Sequence, residues 1–288
     1  MTETSSTPAG IVADRPPPGI RPPARLGPPT TGEVEADRLV LELRVLGVPV
    51  IDWFVDAADV AAYIQQAGYA TRYADYYPGN RMEKALEHYV AARLLSFSPG
   101  QRYLDVASEG SAAPAIYEEL FSVESWRQDL AYAPGVHGRT VGSDAARMPL
   151  PDEFVDRIGL HCSFEHFEGD ADLRFVSEAE RVLRPGGAVC IVPLYFAVPY
   201  SVMTDPAVAV AQRVLFEKDA LVCCVSGYGN RHGRFYDARH LVDRVLSRGK
   251  QLSPTLYRLR GTERVDSSCY ARLALVLRKP WRSRARWR

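Results

Sequence analysis

From Arg102 onward the sequence alternates strand-length apolar runs with helix-length amphipathic ones, and that alternation restricts the chain to a few α/β architectures. Residues 102–107 (RYLDVA) read as a strand and 112–121 as a helix. Residues 123–128, 139–142 and 154–161 read as the second, third and fourth strands. Asp170 caps a helix carrying Leu173, Val176, Ala179, Val182 and Leu183, which stops at Pro185-Gly186-Gly187. Residues 188–196 form a strongly apolar fifth strand. Asp237 opens another helix, with Leu241, Val242, Val245 and Leu246 inward and Gly249 as its stop, and strands at 256–259 and 269–277 complete the set. The pattern predicts a Rossmann-like, doubly wound, mostly parallel seven-stranded sheet with helices on both faces. Ligands of such a sheet bind beyond the carboxyl ends of the strands.

The chain ahead of this region differs in kind. Residues 1–31 hold eight of the 21 prolines and few apolar side chains, so they are expected as a disordered, polyproline-like arm. Residues 32–98 have helical periodicity and are expected as an N-terminal helical cap on the domain at 99–280. In the cap, Asn80 and Glu83 have the spacing of a capping box, and Met82, Leu86, Tyr89, Val90 and Leu94 then share one helical face, with Glu83, Lys84, Glu87 and Arg93 elsewhere. Residues 60–76 form a weaker helical stretch, broken at Pro78-Gly79. Residues 281–288 are a basic tail, continuing an acid-free run that begins at Arg278.

Thirty-five basic and 35 acidic residues balance to zero, so nucleic acid is not the expected partner of the whole chain, and a small-molecule substrate is. The five cysteines (Cys162, Cys190, Cys223, Cys224, Cys269) contain no C-x-x-C pair, which argues against a disulfide framework or a four-cysteine zinc site and makes a reducing cytoplasm the expected location. The N-terminus lacks the basic-then-apolar order of a signal peptide. The uncharged run at 185–204 has the length of a membrane helix, but its Pro-Gly-Gly start, Pro193, Pro199 and polar residues read as a buried strand entering a loop, so no membrane span is expected.

The strand ends nominate the site. After the first strand come Asp105-Val106-Ala107-Ser108-Glu109-Gly110-Ser111, an acid followed by a turn of mostly small residues opening a helix, where a ligand can approach the backbone and the free N–H groups. Asp129, with Leu130 beside it, ends the second strand 24 residues later, in the range where an acid accepts ribose hydroxyls. Asp144 and Ala145 follow the third strand. His161 ends the fourth.

These residues resemble the class I S-adenosylmethionine-dependent methyltransferases, in particular the small bacterial type 11 group. Asp105 to Ser111 stand where that family has its Asp-x-Gly-x-Gly-x-Gly loop, and Asp129 matches its ribose acid. Gly142-Ser143-Asp144-Ala145 with Met148-Pro149 match its adenine-side stretch, and Phe154-Val155-Asp156 its Phe-x-Asp. Glu178, Arg181, Val182, Leu183, Pro185, Gly186 and Gly187 reproduce its Glu-x-x-Arg-Val-Leu-x-Pro-Gly-Gly segment. The resemblance runs from Gly100 to Val192 in order and spacing, with Arg234-Phe235-Tyr236 similar beyond it. It implies S-adenosyl-L-methionine as cofactor, held by Asp105, Ala107, Gly110, Ser111, Asp129, Leu130, Asp144, Ala145 and His161. The sequence departs from the family at all three loop glycines, replaced by Ala107, Glu109 and Ser111; an inward Glu109 would oppose the cofactor carboxylate and favour its cationic groups.

In His161-Cys162-Ser163-Phe164-Glu165-His166 the metal-protease order H-x-x-E-H is one residue too long, so no metal is expected. His166 and His161 are instead the candidate catalytic bases, imidazole being the side chain suited to proton transfer near neutral pH, while a plain hydrogen bond to the loop backbone is the structural alternative for either. Arg231, His232, Arg234 and Tyr236 sit in a loop ahead of a capped helix and are the candidate substrate contacts, the arginines suiting an anionic group. The implied reaction is methyl transfer to a small-molecule or sugar-like acceptor, at oxygen. Two rival readings share the sheet: a catalytically degenerate cofactor-binding relative, suggested by the glycine-poor loop, and a nicotinamide-dependent oxidoreductase.

Overall fold

The computed structural model describes residues 16, 19–20 and 23–281. A short strand β1 (Ala24–Leu26) leads into helix α1 (Glu33–Val45), strand β2 (Val50–Phe54) and helices α2 (Ala57–Ala67) and α3 (Arg81–Leu95). The alternating part follows as β3 (Arg102–Val106), α4 (Ala113–Phe121), β4 (Glu124–His137), β5 (Thr140–Gly142), β6 (Val155–His161), α5 (Ala171–Val182) and β7 (Leu183–Val192). Strand β8 (Ser201–Thr204), helix α6 (Pro206–Ala211), β9 (Leu221–Cys224) and β10 (Gly233–Phe235) form an excursion. Helix α7 (Ala238–Leu241), a π turn at Val242–Leu246, β11 (Ser253–Arg260) and β12 (Leu273–Arg278) close the chain.

The main sheet has the order β2-β11-β12-β7-β6-β3-β4-β5, parallel except where β12 runs against β11 and β7. It is doubly wound, as the alternation requires, but has eight strands and not seven. The additional strand is β2, inside the region expected as a purely helical cap: Val50 to Phe54 pair in parallel with Leu256 to Arg260. A five-residue run between two helices is too short for its period of two to stand out against the helical pattern around it. Within the expected arm, Ala24–Leu26 are likewise ordered, pairing with Val222 to Cys224 of β9 in a second sheet, β1-β9-β8-β10. Main-chain bonds hold this strand, so its side chains carry no signal. Most of the arm's other residues, and 282–288 of the basic tail, lie outside the described residues.

Strand parity divides the core. In β7, Val189 and Ile191 face one side and Ala188, Cys190 and Val192 the other; in β12, Leu273, Leu275 and Leu277 oppose Ala274 and Val276. Large aliphatic residues meet α1, α5 and α7, whereas small ones at 188, 190 and 274 let α3 lie close to β6 and β7. That proximity overturns the expected amphipathic reading of α3. Glu83, Lys84, Glu87 and His88 are all buried, Lys84 at 5 % exposure. Nor does the capping box form: Asn80 makes no side-chain cap, and Glu83 accepts the Tyr270 N–H at 2.8 Å. The run at 185–204 forms most of β7, the segment after it and β8, and no helix among the described residues is long and apolar enough to cross a membrane.

Beyond Asp129, β4 continues and folds back on β5, pairing His137 with Thr140. The return brings Ala133 against Gly142, where an added Cβ would lie 1.9 Å from the Ala133 carbonyl oxygen. Backbone on both sides leaves no room to yield. Gly142→Ala is therefore expected to destabilise the fold by about 2 to 3 kcal/mol, read as a lower urea midpoint at unchanged m-value.

Candidate functional site

The turn after β3 keeps the shape a glycine loop would have, without the glycines. Ala107 has φ +54° and Gly110 φ +73°, so an alanine occupies left-handed backbone at a position where a Cβ costs about 1 kcal/mol. The loop is tied down from β4. Gln128 receives the Ala107 N–H on its side chain and the Ser108 N–H on its carbonyl, at 3.4 and 3.0 Å. Tyr132, on the folded-back part of β4, donates to the Ser108 carbonyl at 3.2 Å. Glu109 is exposed, and its N–H donates to Asp129 Oδ2 at 2.9 Å, so the side chain that departs most from the family pattern stands at the surface while its backbone braces the site.

Asp129 Oδ1 accepts the Ala131 N–H at 2.9 Å, so each carboxylate oxygen holds one backbone donor and retains a lone pair toward the cleft. Asp144 similarly accepts the Ala146 N–H at 2.9 Å and meets Arg174 at 3.4 Å. Between these strand ends lies a cleft of about 370 Å³ that Ala107, Asp129, Leu130, Asp144, Ala145, His166 and Arg231 all line. It thus gathers seven of the residues nominated from sequence. Gln128, Phe167 and Glu168 line it as well and were not nominated; Gln128 lies within a predicted strand, where burial and loop-bracing look alike in one sequence. Gly110 and Ser111 belong to the adjoining turn, with Ser111 Oγ accepting the Ala113 N–H at 3.3 Å.

The two histidines separate sharply. His166, in a 3₁₀ turn at Phe164–His166, is partly exposed; its Nδ1 donates to the His232 carbonyl at 2.6 Å, which fixes the tautomer and leaves the Nε2 lone pair free, 3.6 Å from Glu165 Oε1. The side chain of His161 is 5 % exposed and turned away from this cleft, toward α3. Odd-numbered residues at the end of β6 face that side, and Tyr103 and His161 meet over Gly159, where a Cβ would lie 2.4 Å from the Tyr103 hydroxyl. The Tyr103 hydroxyl donates a hydrogen bond to Asp105 Oδ1 at 2.8 Å, so His161 Nε2, 3.0 Å from the same hydroxyl, is the donor there and Nδ1 carries the lone pair. Burial, with Lys84 adding to it, holds the His161 pKa down to about 3, and His88, its rings 4.7 Å away, is also held well below the ordinary range by burial. An imidazole so weakly basic and so enclosed is a poor base for a substrate, so the expectation for His161 gives way to a packing role.

Asp105 is buried beside it. Oδ2 has no hydrogen-bond partner among the described residues, and burial pushes the carboxyl up to about 6 against the lowering effect of the Ser111 and Tyr103 hydroxyls.

Three of the four expected substrate contacts are interior. Arg234 is 0 % exposed and donates to Tyr200, Phe167 and Gly169 at 2.9, 2.6 and 2.9 Å, while pairing with Asp172 and Glu217. Tyr236 donates to Asp172 at 2.7 Å. His232 Nδ1 donates to the Glu165 carbonyl at 3.2 Å while its own carbonyl accepts from His166 Nδ1, so the residue leading into β10 clamps the turn that presents His166. Their guanidinium and hydroxyl groups are engaged by structural acids and carbonyls, not left open for an anion. Arg231 alone lies on the cleft rim, held by Glu168 at 2.6 Å and Gln212 at 3.0 Å.

A second polar group, absent from the sequence nominations, continues from Glu165 under α3. Lys84 Nζ lies 3.2 and 3.0 Å from the Glu87 oxygens. Cys162 Sγ is 3.1 Å from the Tyr195 hydroxyl, which donates to that of Tyr270 at 3.3 Å. Burial pushes Glu87 up to about 8 against the pull of Lys84.

Residues 104–191 match the family described as "Methyltransferase domain". No curated protein matches the chain. Among solved structures, the chain is similar to the 1,6-didemethyltoxoflavin-N1-methyltransferase of Burkholderia thailandensis, with bound 1,6-didemethyltoxoflavin and S-adenosylhomocysteine, at 15 % identity and a TM-score of 0.48, covering 81 % of this chain and 94 % of that one. It is also similar to the YcgJ protein of a Bacillus species (14 %, TM-score 0.44, covering 68 % and 98 %) and to a SAM-dependent methyltransferase of Methanosarcina mazei (13 %, TM-score 0.38, covering 64 % and 95 %).

A histidine whose folded pKa is depressed adds stability above its unfolded value and loses it as pH falls toward the folded one. For His161 that window runs from about 6.5 down to about 3. Relative to His161→Asn, wild-type stability is expected to drop by roughly 1.4 kcal/mol for each pH unit below 6.5, measured by urea titration across pH 7.5 to 4.5.

Proposed function

We propose that the chain, whose residues 104–191 match a methyltransferase domain, transfers the methyl group of S-adenosyl-L-methionine to a hydroxyl oxygen of a small-molecule acceptor. The cleft carries this reading, because it brings Ala107, Asp129, Leu130, Asp144 and Ala145 together from the ends of successive strands. Asp129 has lone pairs for the ribose hydroxyls, Leu130 and Ala145 offer apolar surface to the base, and the open backbone from Ala107 to Ser111 suits the amino-acid end. When bound, the cofactor supplies an electrophilic methyl carbon whose bonding electrons depart with sulfur.

The chain's own task is then alignment and proton transfer. His166 Nε2 accepts the hydroxyl proton as the acceptor oxygen bonds to the methyl carbon, and the His232 carbonyl holds the imidazolium that results through Nδ1–H. Arg231 with Glu168 closes the rim against water. Free thiols at all five cysteines accord with a reducing cytoplasm as the site of action.

Calorimetric titration with S-adenosylmethionine and S-adenosylhomocysteine is expected to show saturable one-to-one binding; folded protein that binds neither would reject the enzyme reading. Asp129→Ala is expected to weaken binding by about tenfold or more, as a lost charged hydrogen bond does. His166→Ala should leave S-adenosylhomocysteine affinity intact and lower kcat by about a hundredfold.

A further inference from the structure

Adjoining His166, the polar group under α3 has a composition that selects a ligand. Glu165 is 4 % exposed, and its Oε2 has no hydrogen-bond partner among the described residues. A carboxylate oxygen so enclosed and unpaired requires a donor. Around it stand Cys162, Tyr195 and Tyr228, all of which it pushes toward their neutral forms, adding to the larger effect of burial. Tyr270 continues the wall through its hydroxyl contact with Tyr195. The one ammonium in the group, Lys84, is already bound through two contacts to Glu87 and leaves Glu165 without a cation. Carboxylate charge and aromatic faces together are the surroundings that stabilise an organic ammonium.

Geometry joins this group to the proposed base. His166 Nε2 and Glu165 Oε1 are 3.6 Å apart on consecutive residues, and His232 fixes both through their backbone and ring contacts. A molecule with a hydroxyl and an amine on neighbouring carbons would reach the two together. Resting on the methyl-transfer reading above, we propose that the acceptor is a small amino alcohol, an amino sugar or its simpler equivalent, bound as its ammonium by Glu165 among Tyr195, Tyr228 and Tyr270, with the adjacent hydroxyl at His166. A neutral alcohol would leave the Glu165 charge buried and unpaired, so the site discriminates by charge more than by shape.

The test uses full-length protein saturated with S-adenosylhomocysteine, after its binding has been measured separately. Glucosamine, trans-2-aminocyclohexanol and ethanolamine are titrated against glucose, cyclohexanol and ethylene glycol by calorimetry. The amines are expected to bind at least about tenfold more tightly than their neutral counterparts, and the preference should vanish in Glu165→Gln while S-adenosylhomocysteine affinity is unchanged. Tyr228→Leu, which removes one aromatic wall and leaves the carboxylate in place, should weaken the amines alone if Glu165→Gln fails to fold. Equal or tighter binding of the neutral compounds, or no binding of any amine, would overturn the proposal and leave methyl transfer standing. Failure to bind S-adenosylhomocysteine would remove the methyl-transfer reading and this proposal with it.

Discussion

The close approach of α3 to the sheet is the constraint on which the site depends. Ala188, Cys190 and Ala274 permit it, and its consequence is that a helix carrying Glu83, Lys84, Glu87 and His88 is buried over the ends of β6 and β7. Taking an isolated ammonium or carboxylate out of water costs several kcal/mol. The Lys84–Glu87 contacts offset much of that, and Glu83 receives a backbone donor from Tyr270. A pair of this kind adds little net stability over an apolar one, but a helix rotated by one residue would leave both charges unpaired. The pair therefore fixes the rotation of α3, and with it which side chains face Asp105, His161 and Cys162.

Below α3, the protein limits the charge it holds in its interior. His161 and His88 remain neutral, and Asp105 is pushed up to about 6. These shifts share one cause, the scarcity of water and counter-charge beside the strand ends. Tyr103 connects two of them, accepting a hydrogen bond from His161 and donating one to Asp105 across Gly159. On the other side of the β6 end, the His166 turn is held by His232, the residue before β10, and reaches the open cleft. One strand end thus serves two environments, a dry one with locked tautomers and a wet one with a free lone pair.

Much of this architecture was legible in the sequence, and the unread part has physical causes. The order of elements from β3 to β7 follows from periodicity and from stops such as Pro185-Gly186-Gly187, and acids at the strand ends located the cleft at Asp129 and Asp144. Local pattern cannot reveal β1 and β2, whose pairing partners lie some 200 residues away in β9 and β11. Nor can it foresee a buried charged helix face, since a solvated Lys84 and a paired Lys84 have the same periodicity. Arg234 illustrates the opposite error. An arginine in a loop beside the cleft resembles a ligand contact until Asp172, from α5, and Glu217 are brought to it by the fold. Parity would have separated the histidines: Ile158 and Leu160 face α1 and α5, so His161 had to face α3.

The glycine-poor loop shows how a sequence departure can be absorbed without loss of form. A glycine loop obtains its conformation from backbone freedom, whereas here the same left-handed turn at Ala107 is imposed from outside. Gln128 and Tyr132 anchor Ala107 and Ser108, and Asp129 takes the Glu109 N–H. Each anchor comes from β4 or its return, and that return exists because Gly142 permits the close passage of Ala133. The requirement for glycine has thus moved from the loop itself to the strand that braces it. Rigidity follows from this exchange, because a loop held by three neighbours loses less entropy on meeting a ligand than one held by none. Asp129 then has two duties, to the loop and to the cleft, and the loop cannot shift without disturbing the carboxylate that faces the ligand.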